Sequence, residues 1–142
     1  MASKGEQGVT RFSVSLPNAL LEELDRRVTR RGYASRSELV RDLIRERLVE
    51  DQWSSGRSTV VGVLAIAYDH NQPGLSHQLA EIQHGRYTNV LCSTHVHLDR
   101  ENCLEVIIIR GRPSEIEKIA LGAAGLRGVR FAKLTRASTV PV

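Results

Sequence analysis

RFSVSLPNALLEELDRRVTRRGYASRSELVRDLIR, residues Arg11–Arg45, decides the architecture of the N-terminal part. From Arg11 to Leu16 residue types alternate, so a strand would carry Phe12, Val14 and Leu16 on one face and Arg11, Ser13 and Ser15 on the other. Pro17 suits the first turn of a helix, Leu20, Leu21, Leu24 and Val28 keep helical spacing, and Gly32 offers a left-handed stop. Ser35 and Glu38 form a capping-box pattern. After it, Leu39, Val40, Leu43, Ile44 and Leu48 repeat on one side of a second helix. One short strand cannot pair with itself, and about forty residues bury too little apolar surface to be stable alone, so this βαα unit is expected to dimerise.

On the N-terminal side, residues 1–8 are polar, carry two glycines and read as a loose arm ahead of a 9–50 unit. On the other side, DQWSSGRS (51–58) gathers Ser and Gly and reads as a linker. Beyond it, strands are expected over 59–68, 87–97, 103–110 and 129–134, with helices over 74–85 and 113–124. That order, βαββαβ over residues 59–142, is the ferredoxin-like arrangement: two helices on one face of a four-stranded antiparallel sheet, the other face left for a partner. The whole is an α+β chain of 142 residues, too short for a large enzyme core.

Composition excludes several classes. Hydrophobic residues make up 41% and charged residues 25%, as in folded soluble chains, and aromatics only 4%, too few for base stacking to dominate recognition. The longest apolar stretch, Val60 to Tyr68, falls well short of the ~18 residues a membrane span needs. With no basic-then-apolar leader, a cytoplasmic protein without a membrane partner is expected. Cys92 and Cys103 are too few for a disulfide framework.

Two segments carry chemistry. If two copies of the first strand pair, Arg11, Ser13 and Ser15 of both stand on the exposed face of a ribbon that fits the DNA major groove, where Arg reads guanine and Ser contacts several base edges. The helix starting near Ser35 would offer its free N–H groups and Arg36 to a phosphate, and Arg41 a further contact. Residues 1–52 hold ten Lys and Arg against nine Asp and Glu, so affinity for random DNA should be modest.

The second segment is HVHLDRENC, His95–Cys103. His95 and His97 share a strand face about 6.5–7 Å apart. A five-residue loop would set His97 opposite Cys103 and His95 opposite Glu105. Imidazole and thiolate together suit Zn(II), Cu(II), Co(II) or Ni(II), and spacing leaves the choice open. His84 is a fourth candidate, from this subunit or another. Gln83 and Glu105 could orient ligands, His70 and His77 could form a weaker secondary metal site, and alternation points Cys92 away, toward a core role.

Together, RFSVSLPNALLEELDRRVTRRGYASRSELVRDLIR resembles a ribbon-helix-helix DNA-binding domain, and HVHLDRENCLEV after a βα unit resembles the metal domain of NikR-type nickel-responsive regulators. The resemblance covers about residues 9–137. It implies a ribbon-helix-helix domain joined to an ACT-like, ferredoxin-like domain, in a homotetramer built as a dimer of dimers. It implies square-planar Ni(II) on His95, His97 and Cys103 of one subunit and His84 of a neighbour, and base contacts by Arg11, Ser13 and Ser15, where the family often has Thr. Glu38 and Asp42 match carboxylates that can hold K+ in the DNA-bound form. The implied function is a non-enzymatic repressor of nickel-uptake genes acting on a palindromic operator in double-stranded DNA. The alternatives are a regulator that senses an amino acid or another transition metal, and a metal-storage or metal-delivery protein whose first domain only dimerises.

Overall fold

The computed structural model describes residues 8–84 and 89–138. The chain forms two compact units, one ending at Asp42 and the other beginning at Leu43.

In the first unit, α1 (Asn18–Arg31) follows Pro17 and stops at Gly32, whose φ of 70° lets the N–H groups of Gly32 and Tyr33 reach the carbonyls of Thr29 and Val28. Helix α2 (Arg36–Ser55) begins with the expected box: Ser35 Oγ accepts the Glu38 N–H at 3.2 Å, and the Glu38 carboxylate accepts the Ala34 N–H at 3.1 Å. No residue of α1 is buried. Residues 8–17 hold no strand in the single chain, where 11–16 were expected to form one. The physical reason is that a strand needs a partner strand for its ladder, and in the single chain Phe12 and Val14 stand 72% and 67% exposed.

In the second unit, β1 (Val60–Asp69), α3 (Leu75–Gln83), β2 (Asn89–His97), β3 (Asn102–Gly111), α4 (Pro113–Ala124) and β4 (Val129–Ala137) appear in the expected order. The sheet is antiparallel in the order β2-β3-β1-β4. Burial alternates along β1 and β3. Leu64, Ile66 and Tyr68 of β1 and Cys103, Ile107 and Ile109 of β3 thus meet Leu75 and Leu79 of α3 and Ile116, Ile119 and Ala123 of α4 in one core. Close packing is built in at Gly62: a Cβ there would lie 2.6 Å from Ile116 Cγ2 and 2.9 Å from Leu134 Cδ1.

Two further expectations change. The stretch read as a linker is helical as far as Ser55, because Trp53 is only 4% exposed, lies in the core and donates its indole N–H to the Ala137 carbonyl at 3.0 Å. Its polar neighbours hid this: Gln52 bonds Ser138, and Glu50 pairs with Arg136 at 2.7 Å. Cys92 is exposed rather than a core thiol. Helices cover only the face that bears Cys103 and Glu105, and Cys92, paired with Ile108, points to the other one.

Candidate metal centre

The β2–β3 hairpin positions the site. Its loop is tied by Asp99, whose carboxylate accepts the N–H groups of Glu101 and Asn102 at 2.8 Å each and the Asn102 side-chain amide. These bonds, the Asn102 side chain first, hold the Asp99 carboxyl below its ordinary range. With the loop fixed, His97 faces Cys103 and His95 faces Glu105, the register that loop length and alternation predict.

Nδ1 of His97 lies 3.3 Å from Cys103 Sγ. The His95 and His97 rings stand 5.1 Å apart, and the His70 and His97 rings 5.6 Å. His97 is exposed and Cys103 fully buried, so the sulfur is the floor of the cluster and the imidazoles its rim. Burial pushes the Cys103 thiol up, and the nearby carboxylates of Asp99 and Glu105 add to the effect. A cation at the sulfur must therefore displace a proton.

Donor atoms of His70, His97 and Cys103 all lie within 4.8 Å of one another. Nδ1 of His70 is buried with no hydrogen-bond partner, an orphan that a cation would satisfy. The sequence reading placed His70 outside the tight cluster, in a weaker secondary site. Yet Tyr68 pairs with Cys103, and His70 follows two positions later along the same alternation. The signal was present, but using it required the β1–β3 register, which no local spacing supplies. His77 stays apart, 3.4 Å from Glu81 on an exposed face of α3.

His95 is turned to a polar chain behind the cluster. Its Nδ1 lies 3.2 Å from the Tyr68 hydroxyl, which lies 3.4 Å from Glu105 Oε2, while Gln83 donates to Glu105 Oε1 at 2.8 Å. Burial, then Glu105 and Cys103, push the Tyr68 hydroxyl up to about 12, so it keeps its proton at neutral pH. With that single proton given to Glu105, the bond to His95 is donated by Nδ1–H, which leaves the Nε2 lone pair for a metal. Gln83 and Glu105 thus meet as expected, and Tyr68 is the member that sequence reasoning missed. His84 caps the end of α3 through its N–H to Ala80 O at 3.0 Å, and its exposed side chain lies outside the compact group. Two imidazoles and a thiol fit a borderline or soft divalent cation of the Ni, Cu or Zn type, not Mg or Ca.

On the DNA-facing candidates, Arg11, Ser13 and Ser15 are exposed along residues 8–17. Ser35 is occupied by the cap of α2, and Arg36 is held by Asp25 through two hydrogen bonds. Arg41 is exposed, and Glu38 and Asp42 are half-buried one turn apart.

Residues 61–137 match the family model of the NikR C-terminal nickel binding domain, and residues 10–51 that of ribbon-helix-helix proteins of the copG family. The chain is 52% identical over 137 residues to a protein of Helicobacter pylori (strain Shi470) named a nickel-responsive regulator, covering 94% of this chain and 93% of that one. A protein of the same name from Helicobacter hepaticus (strain ATCC 51449 / 3B1) is 52% identical over 139 residues, covering 94% and 97%. Among solved structures, the ACT domain of a GTP pyrophosphokinase of Chlorobium tepidum is similar at a TM-score of 0.47 and 12% identity, covering 55% of this chain and 100% of that one.

Proposed function

The chain belongs to the NikR family of nickel-responsive transcription regulators, and from that premise we propose that His95, His97 and Cys103 of one subunit and His84 of a neighbouring subunit hold Ni(II). It is a DNA-binding regulator and not an enzyme. The observation that carries the ligand set is the pair His97 and Cys103, 3.3 Å apart with the register that brings His95 alongside. His84 ends α3 with an exposed imidazole, next to Gln83, which is bonded to Glu105.

In this reading residues 9–50 form the DNA-binding part and 59–142 the sensing part of a homotetramer, a dimer of dimers. Arg11, Ser13 and Ser15 contact bases, while the α2 N-terminus at Ser35, with Arg36, and Arg41 face phosphates of a palindromic operator. Glu38 and Asp42 hold K+ in the DNA-bound form. Nickel-loaded protein represses genes for nickel uptake in the cytoplasm. No helix among the described residues is long and apolar enough to cross a membrane.

A second reading is favoured by the compact group: His70 of the same subunit, with its unpartnered Nδ1, completes the set in place of the neighbour's His84. His84→Ala and His70→Ala separate the two, since the variant that loses the sulfur-to-nickel absorption band identifies the ligand. For the function itself, a gel-shift titration with nickel-loaded and chelated protein should show tight operator binding only with the metal. Equal affinity in both would refute the coupling.

A further inference from the structure

Arg36 opens α2, and a cation at that end opposes the helix dipole. Asp25 of α1 offsets it. Nε and Nη2 of Arg36 donate to the two carboxylate oxygens of Asp25 at 2.6 and 2.7 Å. Paired charge-assisted bonds of this kind are the exception among exposed ion pairs, which otherwise contribute little. The Asp25 carboxyl is held below its ordinary range by its bond to Arg36. At the same helix end the Ser35 hydroxyl accepts the Glu38 N–H, and the Glu38 carboxylate accepts the Ala34 N–H. The guanidinium read as meeting a nucleic-acid phosphate is therefore already engaged by a carboxylate of its own chain.

We propose that Asp25 is a specificity-determining residue of the DNA-binding unit, a resident counter-anion that withholds Arg36 from the phosphates of non-operator DNA. The proposal rests on the reading of the α2 N-terminus as the phosphate-facing end. A phosphate approaching Arg36 comes well inside the screening length of about 8–10 Å from the Asp25 carboxylate, so it is repelled unless that carboxylate is displaced. Attraction to non-operator duplex is thereby lowered by about one cation, and a larger share of the binding free energy falls to base contacts, which differ between sequences. The nearly balanced charge of residues 1–52, ten basic against nine acidic side chains, is in keeping with such masking.

The test is fluorescence anisotropy of full-length, nickel-loaded protein on a random-sequence duplex across a salt series. Asp25→Asn is expected to bind several-fold tighter and to steepen the slope of log K against log salt by about 0.9, the value for one phosphate contact. Asp25→Glu, which keeps the charge, should keep the wild-type slope. On this random-sequence duplex Arg36→Ala alone should leave the slope unchanged while weakening operator binding, where Arg36 faces phosphate, and Arg36→Ala added to Asp25→Asn should abolish the gain. An unchanged slope for folded Asp25→Asn would overturn the proposal. So would a slope flattened by about 0.9 in Arg36→Ala, because Arg36 would then already touch phosphate with Asp25 in place. The Arg36→Ala arm decides the matter even if Asp25→Asn fails to fold. Wild-type protein that binds neither this duplex nor an operator would instead refute the DNA-binding reading itself.

Discussion

Tyr68 connects the β1 core to the candidate metal centre through one oxygen, which lies within reach of both His95 and Glu105. Tyr68→Phe keeps the ring in the core and removes only the hydroxyl. By the usual cost of losing a ligand's orienting partner, it should lower nickel affinity about 10–100-fold in a chelator-competition titration, as should Glu105→Gln. Unchanged affinity in both would mean that the polar chain is a bystander. The raised thiol of Cys103 gives the proposed ligand set a pH dependence: if Cys103 ligates nickel, its proton must leave on binding, so apparent affinity should rise about tenfold per pH unit below the thiol's own ionisation. Affinity that is flat from pH 7 to 8 would contradict a protonated Cys103 ligand. At this scale the sequence was informative wherever the geometry is local. Loop length and alternation place His95, His97, Cys103 and Glu105 within one hairpin, whereas Tyr68 and His70 join the site through a register spanning more than thirty residues.

Among the elements, β1 depends on having no side chain at Gly62. Gly62→Ala would press a methyl into Ile116 and Leu134 and should cost about 1–3 kcal/mol in urea unfolding, as overpacking does. Trp53 makes the opposite case. It is 4% exposed in the last turns of α2, and Trp53→Ala should cost about 3–5 kcal/mol in the same measurement. A loss below 1 kcal/mol would mean that these turns are not anchored. The boundaries of α4 were readable because Pro113 opens it, and Glu115 binds back to the Arg112 N–H at 3.1 Å. The end of α2 was not readable, because DQWSS has no helical apolar period and its anchors, Ala137 and Ser138, lie more than eighty residues away.

For the whole molecule, the apolar side chains that the first unit leaves exposed in the single chain, Phe12, Val14 and Leu20 among them, are those that the proposed pairing with a second copy would cover. Light scattering should give four chains per particle, and operator footprints should show two half-sites related by a dyad. A monomer at micromolar concentration would remove both the ribbon and the shared metal site. The claim on which the regulator turns is that His84 crosses to another subunit, and mixed oligomers test it most directly. His84→Ala and Cys103→Ala subunits each lack a ligand and should show no sulfur-to-nickel absorption band alone. If His84 acts in trans, unfolding and refolding the two together restores complete sites, and the band returns in part. If every ligand comes from one chain, no mixture contains a complete site and the band stays absent, which would contradict the account.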